Sequence, residues 1–221
     1  MEQEELITLY TREAPSEPIL CARKDYYDND FTTYQGHYPA LIDVFLFNKS
    51  GEILLQRRGL NKRANPGKLH TSIGGHINWG EKPEFSLVHE CMEELGAPTF
   101  LFAEDNYDQA IKKLEPYTHK AALVKEIKEF FRNYSKSDIE NQRYIKDRIW
   151  LYFGRYDGVT EPPDEEVAGY EWFNLNNLSK EMEEKPDQFT AGIKIYFNEF
   201  NDEMRGFVSK YCKANDPSGN N

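Results

Sequence analysis

Cysteine is scarce in this chain of 221 residues, and the three present, Cys21, Cys91 and Cys212, lie far apart. An odd number without metal-ligand or redox spacing excludes a disulfide scaffold and points to a reducing compartment. The opening stretch, MEQEELITLY, has neither the cationic start nor the apolar run of a secretory signal. No segment approaches the roughly 18 apolar residues that a membrane-spanning helix needs. Positive charge is also in deficit: 27 Lys and Arg against 38 Asp and Glu leave a net charge of −11. Nucleic-acid duplexes and anionic membranes are therefore poor partners. An anionic small molecule is not excluded, because a bound metal reverses the local sign. No internal repeat is visible, and a cytoplasmic protein is expected.

What is present suits one globular domain: 39% of residues are hydrophobic and 14% aromatic, enough for a proper core. Residues 40–47, ALIDVFLF, and 53–56 read as two strands joined by the turn Asn48-Lys-Ser-Gly51, a hairpin. A short strand is expected over 71–73. Residues 83–95 read as a helix, with Pro83 in its first turn and Gly96 where it stops. Phe85, Val88, Met92 and Leu95 fall at helical spacing and predict the stripe that packs on the core. Residues 99–102, 149–156 and 169–173 read as strands, with a short helix near 175–182. Residues 105–146 read as one or two helices, from the spacing of Leu123, Ile127, Phe130 and Phe131. One or two helices are expected over 189–212, and the tail NDPSGNN reads as disordered. Interspersed strands and helices imply an α/β or α+β sandwich.

Three carboxylates stand out. Glu90, Glu93 and Glu94 sit at i, i+3 and i+4, which on a regular helix is an arc of about 100° on one face. Such a run is most often a solvated acidic face. Hard cations such as Mg²⁺ also want oxygen ligands, and a cation would turn the mutual repulsion into binding. Gly74-Gly75 precedes the helix and permits close backbone approach.

The run GHINWGEKPEFSLVHECMEELGA, residues 75–97, resembles the Nudix box: Gly, five residues, Glu, seven residues, Arg-Glu, an apolar residue, any residue, Glu-Glu, any residue, Gly, apolar. Gly75, Glu81, Glu90, Glu93, Glu94, Gly96 and Ala97 match at that spacing. The resemblance extends more loosely over residues 38–182. It implies an α/β fold, a Nudix α/β/α sandwich with a mixed sheet and additional helices. The corresponding organisation is an N-terminal extension over 1–37, a Nudix domain over 38–182 with a helical insertion at about 105–146, and C-terminal helices and a tail over 183–221. The activity implied is hydrolysis of a diphosphate linkage in a nucleoside diphosphate derivative or similar small molecule, with Mg²⁺ or Mn²⁺ as cofactor. Glu90, Glu93 and Glu94 would bind the metal and serve catalysis, joined by the Gly75 carbonyl and by Glu81. One glutamate, Glu90 by analogy, or else a distal acid, would activate water. Related enzymes are often homodimers.

One position departs from the box: the family's arginine before the first helical glutamate is His89 here. That arginine pairs with the glutamate at the Glu81 position, which a histidine does weakly or only when protonated. Arg57, Arg58, Lys62, Arg63 and Lys68 form a basic cluster upstream, suited to a diphosphate. Strand alternation points only one of Arg57 and Arg58 toward a site. His76, Asn78 and Trp79, in the box loop, are candidate substrate contacts. The segment 163–178 resembles the Nudix stretch in which an acidic pair, Glu165 and Glu166, precedes a strand bearing a tryptophan, here Trp172.

Two alternatives stand beside hydrolysis. The stretch 54–81 also resembles isopentenyl diphosphate isomerase, a Nudix-fold enzyme. That enzyme needs a cysteine where Gly74 stands and two glutamates where loose alignment puts Lys146 and Arg148. Other Nudix-fold domains only bind ligands and regulate partners; these usually lose the glutamates that this chain keeps.

Overall fold

A computed structural model describes residues 4–28, 34–138, 141–160 and 166–212, the side chains of 134–138 and 141–145 aside. The described residues form ten strands and five α-helices. In chain order they are β1 (Leu6–Thr11), β2 (Ile19–Ala22), α1 (Arg23–Asp28), β3 (His37–Phe47), β4 (Glu52–Arg58), β5 (Leu69–His70), β6 (Ile73–His76), α2 (Pro83–Glu90), β7 (Thr99–Leu101), α3 (Glu104–Leu114), β8 (Ala122–Asp138), β9 (Asn141–Arg155), β10 (Val167–Asn174), α4 (Leu178–Glu184) and α5 (Ala191–Tyr211). The strands make a mixed sheet in the order β10-β4-β3-β9-β8-β7, with β1, β2, β5 and β6 branching from that path. β4 and β10 are antiparallel and β7 and β8 parallel. The expected α/β class is therefore found. No helix of the described residues is long and apolar enough to cross a membrane. The expected disordered tail and Glu165 lie outside the described residues.

The chain divides into two compact units. The first comprises residues 1–43, 74–87 and 127–151; the second comprises 44–73, 88–126 and 152–221. In the first, Ile7, Leu9, Cys21 and Tyr26 form a buried cluster with Tyr27 and Tyr34 packed against it. Strand alternation explains it: β1 turns Ile7 and Leu9 inward, and Ile7 pairs with Cys21 on β2. In the second, Phe207 of α5 sits among Phe47, Tyr107, Phe153 and Tyr211, with ring centroids 4.9–5.8 Å away. The C-terminal segment is one helix with a kink at Phe200 (φ −122°, ψ 16°).

Two expectations are corrected. The helical reading of 105–146 holds for α3 and a following 3₁₀ turn, Glu115–Tyr117; Ala122–Asp138 and Asn141–Arg155 are strands. Leu123, Ile127, Phe130 and Phe131 fit a helical period, but the β-formers around them pair instead, with Phe100 of β7 opposite Leu123. A short apolar run fits either period, and pairing with an available strand overrode the helical one.

The second correction concerns the helix of residues 83–95. Its expected inward stripe faces out: Phe85 is 67%, Val88 39% and Met92 45% exposed. The inward face carries Ser86, Leu87, Cys91, Glu94 and Leu95. Leu87, Cys91 and Leu95 recur at i, i+4 and i+8, an equally good helical stripe, and only Leu95 belongs to both. The helix is also not α-helical throughout, since Cys91–Leu95 forms a wider π turn before Gly96 ends it in the left-handed region (φ 70°). Leu87→Ala should cost about 2–5 kcal/mol in chemical denaturation, whereas Phe85→Ser should stay within about 0.5 kcal/mol. Equal losses from the two would mean that the helix is turned the other way.

Candidate active site

The rotation of this helix sets the environment of each glutamate. Glu94 is drawn onto the inward face and is only 6% exposed. Glu90 lies at the boundary, half-buried, and Glu93 faces solvent. Because the turn carrying Glu93 and Glu94 is a π turn, the i, i+3, i+4 spacing does not give the arc of a regular α-helix. Both Glu94 and Glu90 act on the Cys91 thiol between them. Its pKa is pushed up to about 12, first by burial and then by these two carboxylates, against a lowering hydrogen bond to Thr99. Cys91 is thus an inert, buried thiol and no nucleophile.

His89 takes a different partner from the family's arginine. Its Nε2 stands 3.3 Å from Glu93 Oε1, one helical turn on. In the first unit the Glu81 carboxylate accepts a hydrogen bond from Ser86 Oγ at 2.7 Å. A neutral hydroxyl in the helix's first turn thus holds the carboxylate that an arginine holds in the Nudix pattern. Sequence reading missed Ser86, although its place five residues after Glu81 was open to view.

The basic cluster is partly neutralised. Arg57 donates from Nε to Glu171 Oε1 at 2.8 Å, forms an ion pair with the same carboxylate, and donates from Nη1 to the Gly67 carbonyl at 2.7 Å. Glu171 is the missed partner; it stands on β10, beside β4, and only strand register brings it to Arg57. Arg58 donates from Nε to the Ala64 carbonyl at 3.0 Å. Lys62 pairs with Glu166, whose own carbonyl accepts from Gly59 N–H at 2.8 Å. Lys68 is half-buried, its carbonyl accepting from Arg58 N–H at 3.0 Å. Both arginines are half-buried.

The predicted residues divide between the units. Gly75, His76, Asn78, Trp79 and Glu81 belong to the first, and Arg57, Arg58, Lys68, Glu90, Glu93, Glu94 and Glu166 to the second. In the first unit the N-terminal strand runs beside the box loop: Thr8 N–H donates to the Ile77 carbonyl at 3.0 Å and Trp79 N–H to the Leu6 carbonyl at 2.9 Å. Trp79 is 42% exposed. His76 Nε2 is hydrogen-bonded to the hydroxyl of Tyr27 at 2.8 Å.

Where the isomerase pattern has its second glutamate, Arg148 is buried, stacked 4.1 Å from the Tyr10 ring centroid and 4.7 Å from that of Trp150. It donates from Nε to Glu129 Oε1 at 2.7 Å. Among the described residues no three or more His, Cys, Asp or Glu side chains are gathered closely enough to hold a metal ion. The donors on the helix have the right chemistry, hard carboxylate oxygens, with Glu94 buried, Glu90 half-buried and Glu93 exposed.

The sequence is 25% identical to the isopentenyl-diphosphate Δ-isomerase of Serratia proteamaculans, over 71% of this chain and 73% of that protein. It is 26% identical to isopentenyl-diphosphate Δ-isomerase 2 of Photorhabdus laumondii, over 74% and 78%. The fold is similar to that of DR0079 from Deinococcus radiodurans, with a TM-score of 0.55, 17% identity, and 91% and 98% of the two chains covered. It is also similar to that of a MutT protein from Methanosarcina mazei, with a TM-score of 0.50, 20% identity, and 75% and 94% covered. The NUDIX domain model matches residues 37–193, most of the chain, and the protein belongs to the NUDIX family.

Proposed function

We propose that this protein is a metal-dependent hydrolase that cleaves the diphosphate linkage of a small molecule such as a nucleoside diphosphate derivative. The observation that carries the reading is the spacing of Gly75, Glu81, Glu90, Glu93 and Glu94, kept in full within the matched NUDIX domain. Glu90, Glu93 and Glu94 would hold Mg²⁺ or Mn²⁺; the ion, when bound, neutralises the diphosphate and lowers the pKa of the attacking water. Glu90, half-buried, would serve as the base that takes a proton from water. Arg57 and Arg58 bind the phosphates. An exposed ion pair such as Arg57–Glu171 is worth about 0–1 kcal/mol, so a phosphate dianion displaces Glu171 at little cost. His76 and Trp79 in the first unit, and Lys68 and Glu166 in the second, are the remaining candidate substrate contacts.

Isomerisation of isopentenyl diphosphate is the second reading, favoured by the names of the relatives just described. It requires a thiol and an acid pair that move protons to and from carbon. Here those positions carry Gly74, with no side chain, and Lys146 and Arg148, the latter stacked and ion-paired. A glycine and two cations cannot do that chemistry.

A screen of nucleoside triphosphates, nucleotide sugars, dinucleotides and isoprenoid diphosphates with Mg²⁺ and Mn²⁺, reading products by mass, tests this directly. Release of phosphate or of a nucleoside monophosphate is expected from at least one class. Conversion of isopentenyl diphosphate to its isomer, with every diphosphate bond left intact, would reverse the assignment.

A further inference from the structure

The family match begins at residue 37, and the segment before it has no counterpart in the box pattern. That segment is nevertheless built onto the box loop, within the first unit. Ile7 bridges Asn78 in antiparallel fashion, and Thr8 grips the loop twice, by N–H to the Ile77 carbonyl and by Oγ1 to the Asn78 carbonyl at 3.1 Å. Directly after β2, α1 presents Tyr27. Its ring lies edge-on to Tyr26 at 5.0 Å and packs against the buried Ile7–Leu9–Cys21–Tyr26 cluster. A ring so anchored has little freedom, and its hydroxyl ends 2.8 Å from His76 Nε2, with the two rings edge-on at 83° and centroids 5.7 Å apart.

We infer that Tyr27 is a positioning residue of the active site: anchored by the N-terminal segment, its hydroxyl fixes the imidazole of His76 in the orientation that meets substrate. This rests on the hydrolase reading, which gives His76 its substrate contact. The physical ground is pre-organisation. A histidine on a loop has two rotatable side-chain bonds and a ring that can flip, and one hydrogen bond to a packed phenol selects one ring orientation and tautomer. Binding geometry relaxed by a fraction of an ångström costs affinity out of proportion to the hydrogen bond itself.

The test compares the 221-residue chain with Tyr27→Phe, His76→Gln and the double variant. Phenylalanine keeps the ring and its packing and removes only the hydroxyl. On the diphosphate found by the screen, Tyr27→Phe should raise KM about tenfold and change kcat by no more than about twofold. In the His76→Gln background the same change should add nothing, because the partner is already gone. In parallel, ¹⁵N spectra of the five histidines at one fixed pH should show the His76 side-chain resonances moved by Tyr27→Phe and the other four unmoved. Additive losses in the double variant, or unmoved His76 resonances, would overturn the proposal. If the wild-type protein cleaves no diphosphate, the hydrolase reading fails by itself. The imidazole resonances then still decide whether Tyr27 holds His76.

Discussion

Glu94→Gln is expected to lower metal-dependent hydrolysis at least about a hundredfold while leaving the fold intact. Loss of even an outer partner of a metal ligand typically costs 10–100-fold in affinity or activity, and a ligand itself costs no less. The amide matches the carboxylate in shape, so packing on the inward face beside Cys91 and Leu95 is kept. Removing one of three like charges also relieves repulsion along the turn, so the metal-free protein should be no less stable. A second measurement separates binding from chemistry. A ligand at about 100 times its Kd stabilises the native state by about 2.7 kcal/mol, which for a chain of this size raises Tm by roughly 5–10 °C. Wild-type protein in excess Mg²⁺ should show that rise, lose it with a chelator, and lack it as Glu94→Gln. Glu93→Gln should do less damage, because Glu93 is exposed and its partner is a surface histidine. Full turnover and an unchanged thermal shift in Glu94→Gln would remove the helix from the mechanism.

The box itself was legible because its meaning lies in fixed spacing: Gly75, Glu81, Glu90, Glu93, Glu94 and Gly96 can be counted off the sequence. So were the hairpin of β3 and β4, with Asn48-Lys-Ser-Gly51 between them, and the end of the helix at Gly96, which takes the left-handed conformation expected of it. The helix's rotation was not. Phe85, Val88 and Met92 are more apolar than Ser86 and Cys91, and hydrophobicity alone ranks the wrong face first. What turns the helix is the pair Leu87 and Cys91, both fully buried. The strand nature of Ala122–Asp138 was hidden for a related reason: its apolar positions satisfy the helical period, and the parallel pairing of Leu123 with Phe100 is a tertiary fact. Tyr27 had no signal at all. It meets His76 across 49 residues, through a fold of the N-terminal segment that the box does not encode.

The C-terminal helix lies largely beyond the family match, which ends at residue 193, yet it packs into the core of the second unit. Phe207 is 4% exposed and meets four aromatic rings, drawn from β3, α3, β9 and its own helix. Phe207→Ala would remove its buried surface and leave a void between rings too rigid to close over it. Such a change costs about 3–5 kcal/mol, and each well-placed aromatic pair adds about 0.5–1.5 kcal/mol beyond burial. Against a typical total stability of about 5–15 kcal/mol, the variant should sit near the edge of folding, with Tm lowered by roughly 6–20 °C. Because Phe207, Phe47, Tyr107, Phe153 and Tyr211 all lie in the second unit with Glu90, Glu93 and Glu94, the same change should weaken Mg²⁺ stabilisation as the temperature approaches the lowered Tm. Calorimetry on Phe207→Ala beside Phe85→Ser separates a core residue from a surface one of the same type. A Tm loss of less than about 2 °C in Phe207→Ala would show that the helix is dispensable to that core.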